Sequence, residues 1–197
     1  MLALSARDAY LSLMATIFTI GHSTRSLDEL VALLREHDID LLVDVRTIPR
    51  SRRNPQFNED SLDAAMPEAG IAYRSAKALG GLRGKRKDGP SPNLFWTHAG
   101  FRNYADYALT PPFRHALGEL EKMAEAHRPA IMCAETLWWR CHRRIITDYL
   151  LADGNEVIHI LGHGKTEPGH LTEAAVRQAD GTLLYPGDPA TPRLPGL

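Results

Sequence analysis

The sequence predicts an α/β fold, a three-layer structure with a mostly parallel sheet and helices on both faces. Short apolar runs that end at glycine or at polar residues are typical of buried strands. Leucine-rich runs with helical spacing separate them, and the strand–helix–strand order occurs in both halves of the chain. Alternation of this kind favours parallel strands covered by helices.

The first half contains one complete strand–helix–strand unit. Thr16 to Gly21, "TIFTIG", is the first predicted strand. Ser26 and Glu29 form a capping box, which predicts the start of a helix. The run from Asp40 to Arg46, "DLLVDVR", is the second strand, and the short helical connection predicts that the two strands are parallel.

The second half repeats this order. Pro112 can open a helix, because its missing N–H is not needed there. A strand is predicted from Pro129 to Ala134, and a helix from about 137 to 151, before Gly154. Glu156 to Leu161, "EVIHIL", is predicted as the last strand.

The segment 47–107 is predicted to be mostly loop, with a short helix from Ser61 and a short strand at Ile71 to Tyr73. Ten lysines and arginines but only four acidic residues occur from Arg46 to Lys87. This excess is typical of either a solvated charged loop or an anion-binding segment. The sequence leaves both open.

These patterns divide the chain into three parts. Residues 16–183 are predicted to form a single α/β domain. Residues 1–15 are predicted to be a peripheral N-terminal extension, and Met14 is a candidate initiator. Residues 184–197, rich in proline and glycine, are predicted to be a surface or frayed tail.

Composition excludes several classes of protein. The 197 residues carry a net charge of −1, so the whole molecule does not attract nucleic acid electrostatically. No apolar run reaches the length of about 18 residues that spans a membrane, and the first residues lack the pattern of a signal peptide. Two cysteines cannot build a disulfide framework, so we expect a cytoplasmic protein. The oligomeric state is not predicted.

Polar residues follow each predicted parallel strand. Since the carboxyl ends of parallel strands form one edge, where ligands usually bind, we expect these residues to converge. The predicted catalytic residues are Cys133, Glu135, Cys141 and His142. The predicted substrate-binding residues are His22, Ser23, Arg25, Asp44, Arg46 and Arg143.

Cys133 is the first candidate for a nucleophile. It lies at a strand end before a predicted helix and close to arginines, which predicts a lowered pKa and an accessible thiolate. The spacing differs from the Cys-x5-Arg loop of phosphatases, because residue 139 is Trp and Arg140 comes one position late. Helical spacing predicts that Cys141 and His142 point towards the sheet, where Cys141 can also be a buried filler.

The motifs "TIGHSTRSLDEL", "LLVDVRTIPRS", "LGG" and "CAETLWWRCHRRIITDYL", followed by "VIHI", resemble the family called domain of unknown function 488. The resemblance extends from about Ile17 to Ile160. It implies a shared site at His22, Ser23, Asp44, Arg46, Cys133, Glu135, Cys141, His142 and Arg143, but it implies no reaction.

Three classes of function fit the residues. The first is an enzyme acting on a phosphorylated, nucleotide or nucleic-acid substrate. The second is a nucleic-acid-binding module that uses the basic middle segment. The third is a metal or redox site at the cysteines and histidines. Because the spacing Cys-x7-Cys-His matches no common zinc pattern, no metal ligands are predicted, and the cofactor stays unknown. The expected partner is an anionic small molecule or nucleic acid.

Overall fold

A computed structural model describes residues 14–187. The predicted extension therefore lies outside the described residues except for Met14 and Ala15, and the predicted tail lies outside them from residue 188 onwards. The domain limits stay predictions. Within residues 14–187, no helix is long and apolar enough to cross a bilayer.

Six strands form the central sheet, in the order β3-β2-β4-β1-β5-β6. They are Thr16–Gly21 (β1), Leu41–Asp44 (β2), Ala72–Ser75 (β3), Pro129–Cys133 (β4), Glu156–Gly162 (β5) and Lys165–Pro168 (β6). Every neighbouring pair is parallel except β5 and β6, which are antiparallel. A separate antiparallel ribbon joins Val176–Arg177 (β7) to Leu183–Leu184 (β8).

Helices cover both faces of this sheet. They are Leu27–Glu36 (α1), Glu59–Glu68 (α2), Ala99–Ala108 (α3), Pro111–Ala124 (α4) and Arg143–Ala152 (α5). The first two helices pack their apolar side chains on one face, around Phe18, Ile20 and Leu42. The other three pack on the opposite face, around Ile17 and Ile131. The predicted three-layer fold is therefore confirmed.

The predicted capping box is also confirmed. The Ser26 side chain accepts a hydrogen bond from the Glu29 backbone N–H, and the Glu29 carboxylate accepts one from the Ser26 N–H. Both bonds satisfy donors that the first turn of a helix otherwise leaves free. This fixes α1 between β1 and β2, whose carboxyl ends then face the same edge of the sheet.

The prediction of loop across "FWTHAGFRNYADY" was wrong in part, because α3 lies there. Its N-cap is His98, whose Nδ1 accepts from the Gly100 N–H at 3.2 Å. Histidine is not among the preferred N-cap residues, and a glycine lies in the first turn, so neither helix propensity nor capping indicates this start. Buried Tyr104 anchors the helix through a 2.7 Å bond from its hydroxyl to the Leu79 carbonyl.

The prediction that a helix begins near residue 137 was also wrong. α5 begins at Arg143, and Trp138–Arg140 form one 3₁₀ turn instead. The buried Arg143 guanidinium donates to the carbonyls of Glu135 and Thr136, which fixes the preceding segment in a non-helical path. Tyr185, in the predicted tail, is fully buried and donates to Asp148 at 2.9 Å.

Candidate functional site

The candidate site lies at the carboxyl ends of three adjacent strands. β4 lies between β2 and β1 in the sheet, so residues that follow these strands come together although they are far apart in sequence. The backbone N–H of His22 donates to the Cys133 carbonyl at 2.9 Å, and that of Ser23 donates to the Ala134 carbonyl at 3.0 Å. Two cavities open side by side at this edge.

The first, which we call the arginine cavity, has a volume of about 440 Å³. Its polar walls come from the segment after β1, the segment after β2 and the segment after β4. They include His22, Ser23, Thr24, Arg46, Arg50, Ser51, Asn54, Glu135 and Thr136. Ser23 has a left-handed backbone (φ 51°), which a non-glycine residue rarely adopts and which turns the chain sharply at this wall.

Arg46 is held rigidly in the wall of this cavity. Its Nε donates to Asp44 Oδ1 at 2.8 Å, and its Nη2 donates to the Phe57 carbonyl at 2.6 Å. Asp44 is fully buried and also accepts from the Tyr73 hydroxyl at 2.9 Å. Arg46 itself lines the cavity, and within residues 14–187 its Nη1 makes one hydrogen-bond contact, at 3.2 Å to His22 Nε2.

His22 is neutral and orients Arg46. Burial lowers the pKa of His22 to about 4, although the hydrogen bond to Ser23 opposes this shift and the charge of Arg46 adds to it. Its Nδ1 lies 2.9 Å from the Ser23 carbonyl oxygen, so Nδ1 carries the proton and donates. Nε2 is then the acceptor for Arg46.

The second cavity, which we call the thiol cavity, has a volume of about 330 Å³. It shares Arg46, Ile48, Ala134 and Glu135 with the arginine cavity, so the two adjoin. Two exposed apolar residues lie in its wall: Ile48 is 64% exposed and Leu82 is 70% exposed. Its polar floor is formed by Cys133, Cys141 and His142, which we call the thiol cluster.

The donor atoms of the thiol cluster lie within 4.8 Å of one another. His142 Nδ1 is 3.5 Å from Cys141 Sγ and 3.9 Å from Cys133 Sγ. His142 Nε2 lies 2.9 Å from the Val45 carbonyl oxygen and therefore carries the proton that it donates. This leaves the lone pair of Nδ1 directed at the two sulfur atoms.

The prediction that Cys133 has the lowered pKa was wrong. Its hydrogen bond with Cys141 and its burial raise the pKa of Cys133 well above the usual value. Burial also acts against ionisation of Cys141, but the hydrogen bond from Cys133 and the nearby His142 and Arg143 lower its pKa well below the usual value.

Three of the predicted substrate-binding residues do not line either cavity. Arg25 donates to the carbonyls of Gly21 and Leu161, on the other side of β1. Asp44 lies behind Arg46. Arg143 is only 1% exposed, and its guanidinium donates hydrogen bonds to Thr19, Cys141 and two backbone carbonyls. These three side chains hold the strand ends and the segment after β4 in place.

Sequence reasoning missed other residues of the cavity walls. Arg50 and Arg140 are exposed cations that line the arginine cavity and the thiol cavity respectively. The basic run "RSRR" from Arg50 to Arg53 was the sequence signal that could have identified Arg50 as a candidate. Gly81 touches His142: a Cβ atom at this position would lie 2.5 Å from Nδ1. The predicted "LGG" motif therefore has a steric role that its sequence did not indicate.

Comparison with known proteins gives a match to a family model. The family model described as "Domain of unknown function DUF488" matches residues 26–150, more than half of the chain. The match includes Asp44, Arg46 and all of the predicted catalytic residues, whereas His22, Ser23 and Arg25 precede it. A search of curated proteins and a search of solved structures found no match.

Proposed function

Because the chain belongs to the family described as "Domain of unknown function DUF488", a description that names no reaction, we propose a function from the site itself. We propose that the protein is an enzyme acting on a small phosphate-bearing substrate. The substrate's anionic group binds in the arginine cavity, and its reacting part lies over the thiol cluster. The observation that carries this proposal is that the two cavities adjoin and share Arg46 and Glu135.

The arginine cavity suits an anion for two reasons. Arg46 is fixed by Asp44, Phe57 and His22, so little side-chain entropy is lost when it binds. Arg50 is exposed in the wall and forms no ion pair within residues 14–187, so a ligand can neutralise its charge. Hydrogen bonds between arginine and phosphate are charge-assisted and stronger than neutral ones.

The thiol cavity suits the rest of the substrate. Ile48, Leu82 and Phe101 offer apolar surface to a ring or chain of the ligand. Binding sites are typically apolar with a few converging polar groups, and here those groups are the thiol cluster and Glu135. Glu135 is exposed between the two cavities, where its carboxylate can accept a proton from the reacting group.

A binding experiment with Arg50→Ala tests the anion site. The probes are inorganic phosphate and phenyl phosphate, which share the anion but differ in the apolar part. We expect phenyl phosphate to bind more tightly than phosphate, and Arg50→Ala to weaken both by about tenfold or more, because a charged hydrogen bond contributes about 1.5–3 kcal/mol. Titration calorimetry at fixed ionic strength measures both constants.

Arg53→Ala is the matched control. Arg53 is exposed three residues further along the same segment but does not line the arginine cavity. Equal weakening by both variants would show that only general surface charge is involved, which contradicts the proposal. Arg46→Ala is a poorer test, because it leaves the fully buried Asp44 without its ion-pair partner and so destabilises the fold.

Catalysis is tested by following, with mass spectrometry, the conversion of a panel of phosphate-bearing compounds that differ in the part expected to lie over the thiol cluster. We expect Cys141→Ser to reduce turnover by orders of magnitude while phenyl phosphate still binds, since the thiol cluster is separate from the anion site. If wild-type protein binds the probes but no thiol-dependent turnover appears, the enzymatic part of the proposal fails and a binding function remains.

A further inference from the structure

The thiol cluster has the geometry of a metal site. A tetrahedral zinc ion holds sulfur at about 2.3 Å and imidazole nitrogen at about 2.0 Å, which places these two donor atoms about 3.5 Å apart. The corresponding distances from His142 Nδ1 are 3.5 Å to Cys141 Sγ and 3.9 Å to Cys133 Sγ. All three donor atoms fall within 4.8 Å of one another, so small side-chain shifts would bring them to one ion.

The His142 imidazole also has the tautomer and orientation that metal coordination requires. Metal-bound histidines almost always donate their second ring N–H to a carbonyl, carboxylate or water, which fixes the tautomer and the ring. His142 Nε2 donates to the Val45 carbonyl at 2.9 Å, and the ring packs edge-on against Tyr104 at a centroid distance of 5.1 Å. Nδ1 is therefore a fixed acceptor that faces the sulfur atoms.

The chemistry of the donors selects the class of metal. Two thiolates and one imidazole favour zinc and similar borderline or soft cations over magnesium or calcium, which take oxygen ligands. Cys133 and Cys141 are the only cysteines in the chain, and they come from different elements, the end of β4 and the turn before α5. The fold therefore brings the two cysteines together, and the unusual spacing Cys-x7-Cys-His does not indicate that they are close.

We propose that Cys133, Cys141 and His142 bind one divalent cation of the zinc class through Sγ, Sγ and Nδ1. We further infer that this cation is the cofactor of the proposed enzyme, a part of the inference that rests on the proposed function. Three protein ligands with a cavity on the remaining side are typical of catalytic zinc, whereas structural sites have four. Zinc bound in this way supplies an activated water or a Lewis acid.

Cobalt(II) titration of the reduced full-length protein tests the site. We expect a thiolate-to-cobalt charge-transfer band that saturates at one equivalent and that zinc displaces. Cys133→Ser and Cys141→Ser should each weaken cobalt binding by about a hundredfold or more, since even the loss of outer partners of metal ligands costs about 10- to 100-fold. His115→Gln, which alters an exposed histidine outside both cavities, should leave the affinity unchanged.

Alkylation of wild-type protein gives a readout that does not depend on the variants folding. Stoichiometric zinc should slow the labelling of both cysteines together, whereas magnesium should not. The inference is overturned if folded, reduced wild-type protein gives no saturable band, if the band survives in both folded serine variants, or if zinc leaves the labelling rates unchanged.

The same samples separate this inference from the proposed function. If wild-type protein binds phenyl phosphate through Arg50 and shows thiol-dependent turnover, yet gives no cobalt band, that result would overturn the metal site alone. A normal band without phenyl phosphate binding or turnover would overturn the proposed function, and the metal site would stand as a separate property of the chain.

Discussion

At the scale of single residues, Asp148 gives the clearest dependence on pH. Its carboxyl group on α5 is fully buried and accepts hydrogen bonds from the Thr172 N–H at 2.7 Å and the Tyr185 hydroxyl at 2.9 Å. Burial raises its pKa from 3.8 to about 6, against these hydrogen bonds. The folded protein therefore binds a proton more tightly here than the unfolded chain does, and stability falls as pH rises through this window.

Asp148→Asn tests this sign. The free energy of unfolding of wild type relative to the variant should decrease by about 2 kcal/mol between pH 4 and pH 6, because each unit of pKa shift corresponds to about 1.4 kcal/mol and part of the titration lies outside this range. Chemical denaturation across this range measures the difference. Asp63→Asn, at an exposed position, controls for the substitution itself. A difference between wild type and Asp148→Asn that stays constant with pH would contradict the expected shift.

Residue-scale reasoning from the sequence predicted which residues lie together better than it predicted the contacts that each one makes. The cysteines, His142, Arg46 and His22 were all predicted, because strand ends of a parallel sheet converge whatever their exact order. The roles of Arg143 and Arg25 depend on which carbonyls are left free at the edge. A sequence does not specify those carbonyls. The lowered pKa of Cys141 depends in the same way on tertiary neighbours, since Cys133, His142 and Arg143 all act on its thiol.

At the scale of elements, Gly80 and Gly81 pack closely against residues of the site. A Cβ atom on Gly81 would lie 2.5 Å from His142 Nδ1, and a Cβ on Gly80 would lie 2.6 Å from Thr47 backbone atoms. Both distances are too short for real contacts. The loop between the 3₁₀ turn Lys77–Leu79 and α3 therefore packs against the thiol cluster only because it carries no side chains there.

Gly81→Ala should therefore displace the His142 ring or the loop. We expect it to lower the free energy of unfolding by about 1–3 kcal/mol, the usual cost of overpacking a close contact, and to weaken cobalt binding. Gly84→Ala is the matched control, because within residues 14–187 no heavy atom beyond its chain neighbours lies within 4 Å of the added Cβ. Denaturation and cobalt titration of both variants decide the matter, and identical behaviour of the two would refute the close packing.

The predicted elements with clear local signals are those that the structure reproduces. β1 spans the predicted Thr16–Gly21, and the capping box opens α1 one residue after Ser26. α3 and the delayed start of α5 had no such signal. Their limits are set by tertiary contacts, the Tyr104 hydroxyl on the Leu79 carbonyl and Trp138 stacked on His159 at 4.1 Å. Such contacts override weak local propensity.

At the scale of the whole molecule, positive charge is concentrated in one segment of a nearly neutral chain. The net charge is −1, yet the segment 46–87 holds ten of the 23 lysines and arginines. Many of them are used internally: Arg83 donates to three carbonyls and packs over the Tyr107 ring at 3.7 Å, and Lys77 pairs with Glu59. Arg50 in the arginine cavity and the exposed run Lys85–Lys87 are two contrasting sites at which a ligand could bind.

This contrast separates the proposed enzyme from a nucleic-acid-binding module. Replacing Lys85, Arg86 and Lys87 together by alanine should leave phenyl phosphate binding unchanged, since none of them lines either cavity. It should weaken binding of a single-stranded oligonucleotide and reduce the slope of log K against log salt by about one unit for each lost phosphate contact. Arg50→Ala should show the opposite pattern, with its main effect on phenyl phosphate.

Fluorescence anisotropy with a labelled oligonucleotide, measured at several salt concentrations, compares the two variants. A module that works by binding nucleic acid predicts tight oligonucleotide binding that the triple variant abolishes and that Arg50→Ala leaves intact, with no binding of phenyl phosphate. Those results would reject the arginine cavity as the functional site. The enzyme proposal predicts weak, salt-sensitive oligonucleotide binding, because exposed cations act through screened charge, whereas the fixed Arg46 and the adjoining Arg50 give a small ligand directed hydrogen bonds.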